Sequence, residues 1–237
     1  LYILITKRQE PNSTTARSML RLAEAMLRAA PSRAVTMASE IQQWLKTPIP
    51  ALETELLDTF DLLIDFGVPS AILYEWYRDW LTYLLELPGI RDFTSLQTWL
   101  SLGRWMQGED YLLAQLEGQL KDATDERVDD PVAALPRGFR IGIFSFRESS
   151  AKRVCDMLLA RNAELNVQIC KEKDLNEPTK ALAQHCDLAV VVTSCVSHAL
   201  TYGIEPYLLR PPVYPSSSGS TSIIRAIESN LLTFQGS

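Results

Sequence analysis

Histidine is scarce in this chain: His185 and His198 are the two present among 237 residues. Cysteine is nearly as rare. Cys155, Cys170, Cys186 and Cys195 all fall in the C-terminal half, and no pair has CxxC spacing. A zinc knuckle needs that spacing, so no metal site is expected. No apolar run approaches the roughly 20 residues that cross a bilayer, which excludes a transmembrane helix and a membrane partner. There is no GKS or GKT of a phosphate loop, no GxGxxG and no GxSxG elbow. The usual fingerprints of nucleotide binding and serine hydrolysis are therefore missing. No repeat of fixed period appears. Leu1 stands where an initiator Met would, which reads as a fragment of a longer protein.

What is present is ordinary for a globular protein: 46% hydrophobic and 22% charged residues, with net charge −6. That balance argues against a generally cationic nucleic-acid binder. The charge is uneven, however. Residues 1–47 hold seven Lys or Arg and three Glu, a local +4. This stretch is either a solvated helix face or a patch for nucleic acid. Cys155 and Cys170 read as small core residues in a reducing compartment, so a cytoplasmic location is expected.

The periodicity changes near residue 130. Before it, six helical stretches are expected. The first, 13–30, has Ser13, Thr14 and Thr15 as caps and Met19, Leu20, Leu22, Ala23, Met26 and Leu27 at helical spacing. The third starts near Pro50 and stops at Gly67. The fourth carries Tyr74, Trp76, Tyr77, Trp80 and Tyr83, a stripe that could stack bases but at this spacing reads as a packing face. Residues 122–138 are acidic, with Pro131 and Pro136, and read as a linker.

After the linker, strands alternate with helices. Strands are expected at 139–146, 164–170 and 187–194, with a weak fourth in "PYLLRPPVYPS". Helices are expected at 149–162, 176–186 and 218–231. Such alternation implies βαβ units and a parallel sheet. The expected architecture is an N-terminal helical bundle or short helical array (1–121), an acidic linker (122–138) and a small Rossmann-like parallel α/β domain (139–232).

In an open parallel sheet, ligands bind beyond the carboxyl ends of the strands. Three hydroxyl-rich turns are expected to meet there: "SFRESS" after the first strand, "TSCVSH" after the third and "SSSGSTS" before the last helix. The candidate ligand contacts are Ser145, Arg147, Ser194, Ser197, His198, Gly219, Ser220, Thr221, Ser222 and Arg225. Gly219 permits close backbone approach, and the helix start at Ser220 favours an anion. A nucleotide or another phosphate-bearing ligand is the expected occupant. Cys195 or Ser197 with His198 forms a candidate nucleophile and base, without an orienting acid evident from spacing.

The C-terminal half, about residues 138–230, resembles the bacterial domain of unknown function 2325. The resemblance rests on "DLAVVV" from Asp187, the Ser197–His198 dipeptide and "SGSTS" around Gly219. "SFRESS" stands where that family has a "GG" turn. The resemblance implies a short parallel α/β unit and no settled reaction.

Three functions are weighed. One is a regulatory or sensing module, whose α/β domain binds a small anion and whose helical domain contacts a protein partner. Another is a structural or nucleic-acid-associated component of a larger bacterial defence assembly, using residues 1–47 on nucleic acid. The last is a hydrolase or transferase built on Cys195 or Ser197 with His198. The first ranks ahead of the second, and the expectation leans away from an enzyme.

Overall fold

A computed structural model describes residues 7, 9–87, 92–106, 111–126, 130–172, 174–193 and 196–235, leaving aside the side chains of 124–126, 198, 234 and 235. The chain divides into two compact units, residues 1–126 and 127–237.

The first unit contains α1 (Ser13–Ala29), α2 (Ala34–Trp44), α3 (Glu53–Asp65), α4 (Ser70–Glu86), α5 (Phe93–Trp105) and α6 (Tyr111–Glu126). Asn12, not Ser13 to Thr15, caps α1. Its side chain accepts the Thr15 N–H at 3.0 Å, and Thr15 Oγ1 accepts the Asn12 N–H at 2.9 Å. This reciprocal box satisfies two orphan donors at once, which a lone hydroxyl cannot do. α3 stops before Gly67, as expected, with the Gly67 N–H reaching Ile64 O.

α3 is the centre of this unit and packs against α1 and α5. The aromatic stripe of α4 is a packing face: Trp76, Tyr77 and Trp80 are buried, while Tyr74 and Tyr83 pack partly buried against the core. Phe60 of α3 meets Trp76, Tyr77 and Trp99 at centroid distances of 4.8, 6.1 and 6.1 Å. Two of the polar tips reach acceptors, whereas Trp76 Nε1 is enclosed without one. Tyr77 Oη donates to Trp99 O at 2.8 Å, and Trp99 Nε1 donates to Glu53 Oε1 at 2.7 Å. Buried aromatic dipoles need such partners. Base stacking by this stripe is thereby excluded.

The second unit contains β1 (Arg140–Phe144), α7 (Glu148–Arg161), β2 (Asn166–Cys170), α8 (Glu177–His185), β3 (Leu188–Val191), α9 (His198–Ile204) and α10 (Ser220–Gln235). The sheet runs β2-β1-β3, all parallel. Ile141 pairs with Val167 on one side and Leu188 on the other. The expected fourth strand is a single parallel bridge, Val213 to Val190. Pro211, Pro212 and Pro215 surround Val213, and proline has no N–H to extend a ladder.

Alternate strand residues feed two cores. Ile141, Ile143, Leu188 and Val190 pack with Ala151 and Val154 of α7 and Ile223 and Ile227 of α10. Phe144, Ala189 and Val191 pack with Ala183 of α8 and Leu200 and Ile204 of α9. Helices thus cover both faces, which is why β1 and β3 read as continuous apolar runs.

The division between the two units falls within the acidic stretch 122–138. α6 continues through Glu126, and turns occupy 131–138. Val132 is fully buried in the sheet core. Asp130 caps the Val132 N–H at 2.9 Å and pairs with Arg161, whose Nε donates to Asp130 Oδ2 at 2.9 Å. Arg161 also meets Glu228 at 2.8 Å, and its side chain is 2% exposed. Among the described residues, no helix is long and apolar enough to cross a membrane.

Candidate functional site

All strands of the second unit point the same way, so their carboxyl ends share one edge. The chain leaves β1 toward β2 on one side and leaves β3 toward Val213 on the other. In open α/β sheets ligands bind at such an edge where the strand order reverses, as it does here between β1 and β3. The Val192 N–H donates to Phe144 O at 3.1 Å, which sets the exit of β3 beside the exit of β1.

At the β1 exit, Ser145 is fully buried. Its N–H reaches Cys170 O at 3.0 Å, and its Oγ accepts the Arg147 N–H at 3.1 Å. Ser145 therefore turns the chain into α7, and its oxygen has a structural role. Arg147 is 7% exposed. Sequence reasoning missed Ser150 and Arg153, also buried, with Arg153 Nη2 donating to Ser150 Oγ at 3.5 Å. The signal was available: 147, 150 and 153 recur every three residues, which places them on one side of a helix.

At the β3 exit, Ser197 caps α9 by accepting the Leu200 N–H at 3.0 Å. His198 is the first residue of α9, and its side chain lies outside the described part. Ser194 and Cys195 also lie outside the described residues. Ahead of α10, the Gly219 N–H donates to Ser217 Oγ at 3.1 Å, and Ser216 Oγ meets Ser222 Oγ at 3.3 Å. Ser220, Thr221 and Ser222 are buried, and Arg225 is half-buried. Thr221 Oγ1 is enclosed with no hydrogen-bond partner. α7 and α10 pack together on the same face of the sheet. Both start at the carboxyl edge, which gathers a serine-, threonine- and arginine-rich rim there.

Elsewhere the thiols are quiet. Burial pushes the Cys155 thiol up, helped by Asp156. Burial likewise raises Cys186, and Cys170 is buried. Neutral buried thiols are poor nucleophiles. Among the described residues, no cluster of three or more His, Cys, Asp or Glu is placed to hold a metal ion. Two of the basic residues in 1–47 are spent on ion pairs: Arg17 with Glu55 at 2.8 Å and Arg28 with Glu24 at 2.6 Å.

Comparison with curated proteins and with solved structures finds no match. A family model described as DpdD-like does match, over residues 1–226, which takes in the helical unit and most of the α/β unit. It overturns the resemblance to domain of unknown function 2325. The motif residues behind that resemblance do local work instead. Asp187 accepts the Arg140 N–H at 2.8 Å to lock β3 to β1, and Ser197 caps a helix. Any small parallel unit has use for such residues, so they do not separate one family from another. Matched across nearly its whole length, the chain belongs to the DpdD-like family.

Proposed function

We propose that this chain is a structural, nucleic-acid-associated component of a bacterial defence assembly. The observation that carries the reading is the DpdD-like match over residues 1–226, because that family is associated with a DNA-modification and defence system. It favours the assembly over a free-standing sensor, which draws no support from the family. In this reading the helical unit holds a protein partner. The α/β unit is a Rossmann-like module: a parallel sheet, helices on both faces and a reversal of strand order between β1 and β3 support that description. A hydrolase built on Ser197 fits less well, since the Ser197 oxygen already caps α9.

Deleting the gene for this chain from its defence locus tests the reading. The expected result is loss of discrimination between modified and unmodified plasmid, read as transformation efficiency. Unchanged discrimination would contradict it.

One observation favours a ligand at the carboxyl-edge rim within that assembly. Thr221 Oγ1 is enclosed without a partner in the first turn of α10, and Arg147 and Arg153 are buried at the start of the neighbouring helix. Helical Cα–Cβ bonds tilt toward the N-terminus, where free N–H groups already favour an anion. A phosphate-bearing ligand would use all three. A nucleotide that raises the melting temperature of the wild type, and not of Thr221→Val, supports this rim. Equal shifts in both proteins count against it.

A further inference from the structure

The two outer strands of the α/β sheet are finished differently. Beyond β3, the Val191 N–H donates to Val213 O at 2.9 Å and the Val213 N–H to Ala189 O at 2.8 Å. Pro211, Pro212 and Pro215 flank that bridge and end the pairing. β2 stands at the other side of the order β2-β1-β3 and has no such cover among the described residues. Its sequence, NVQIC, holds no charge and no proline. Charges and prolines keep an edge from pairing, so this edge is left competent to pair.

The ladder shows which groups are available. The Asn166 N–H donates to Phe139 O at 2.9 Å, and Cys170 O accepts the Ser145 N–H at 3.0 Å. Backbone direction alternates along a strand, so Asn166, Gln168 and Cys170 bond to β1. Val167 and Ile169 then direct their N–H and C=O groups away from the sheet. Among the described residues, neither takes part in a backbone bond beyond the strand ladder. Their side chains pack partly buried against the core under α7. Asn166 and Gln168 face the other way and are exposed, with Gln168 Nε2 donating to Asn166 Oδ1 at 3.3 Å.

This strand is complementary to itself. Two copies related by a two-fold axis at Gln168 run antiparallel. Val167 then stands opposite the partner's Ile169, and Ile169 opposite the partner's Val167. Each of these rungs exchanges both of its N–H···O bonds. Between them Gln168 meets the partner's Gln168 at the closer, non-hydrogen-bonded spacing, where the two amides bond to each other. Apolar meets apolar and amide meets amide, with no charge between. Glu164 and the partner's Glu172 are like-charged but fall outside the strand ends, where the twist carries the chains apart.

We infer that β2 is a self-association edge, at which two copies of this chain join antiparallel into one continuous sheet. The inference stands on the α/β unit alone and does not need the assembly reading. The contact is small, so the dimer is of modest affinity.

Sedimentation of the whole chain over a concentration series tests it. The wild type should pass reversibly from monomer to dimer, and hydrogen exchange at Val167 and Ile169 should slow as concentration rises. Gln168→Lys sets two ammonium groups face to face at the axis and should weaken the dimer about tenfold. Gln168 is exposed, so the melting temperature of the dilute variant should match the wild type. Under mild oxidation Gln168→Cys should link two copies by a disulfide faster than the native cysteines do, because the facing residues lie within disulfide reach. A wild type that stays monomeric at the highest concentration reached would overturn the inference. So would a dimer that Gln168→Lys leaves intact, or a Gln168→Cys chain that cross-links no faster than the wild type.

Discussion

The two units bury polarity in different places. In the helical unit the enclosed core is aromatic and aliphatic, and the tips of Tyr77, Trp80 and Trp99 each reach an acceptor, the Trp80 Nε1 donating to Leu45 O at 3.3 Å. In the α/β unit the two cores are aliphatic, while hydroxyls and guanidiniums collect at one edge of the sheet, with Thr221 Oγ1 left unmatched. In the helical unit the enclosed Trp76 Nε1 is likewise without an acceptor. Unmatched polarity inside a fold costs stability and is kept where something else uses it.

Substitutions can break this contrast at several points. Trp99→Ala should have the largest effect. It removes a fully buried indole, its contacts with Phe60 and Tyr77 and its bond to Glu53, at a cost of about 3–5 kcal/mol. Chemical denaturation checks the magnitude, and hydrogen exchange should show the lost protection in residues 1–126. Arg161→Ala should come close behind in the other unit. It leaves the mostly buried carboxylates of Asp130 and Glu228 without their cation, a loss of about 3 kcal/mol or more. A small effect there would mean that the 130–138 segment is not held as described.

Gly103→Ala sharpens the account of the helical core. A Cβ at this position would sit 2.5 Å from Leu113 Cδ2 and 2.5 Å from Tyr77 Oη. Tyr77 is buried and tied to Trp99 O, so it cannot yield, and overpacking should cost about 1–3 kcal/mol. Thr221→Val should have the opposite sign. Replacing an enclosed, unmatched hydroxyl by a methyl of similar shape should stabilise the free protein by about 1 kcal/mol. Destabilisation by that change would mean that Thr221 belongs to the structure alone.

The smallest effect concerns the thiols. Burial raises Cys155 and Cys186, so both are protonated at neutral pH, folded or unfolded, and add no pH dependence there. Above about pH 8.5 the unfolded chain releases these protons first. Stability should then decline as pH climbs toward the raised folded values. Thiol labelling at pH 7 should be slow at Cys155, Cys170 and Cys186, and fast labelling at any of them would contradict their burial.

Much of this organisation could be read from the sequence, for reasons that are local. The α4 aromatics recur at helical spacing, and the apolar run from Leu188 announces a strand buried on both faces. What could not be read depends on distant partners. The stretch around Asp130 looks like a solvated linker until Arg161, 31 residues on, pairs with it. The capping of α1 by Asn12 was hidden by a run of equally capable neighbours, Ser13 to Thr15. The rim was half visible: the hydroxyl-rich turns stand out, but Arg153 looks like any helix-surface arginine until its burial is known.

Co-expression with the proteins encoded beside it, followed by native mass spectrometry, tests the proposed assembly role most directly. The account predicts that this chain enters a complex of fixed stoichiometry. A chain that stays monomeric beside all of its neighbours would contradict it.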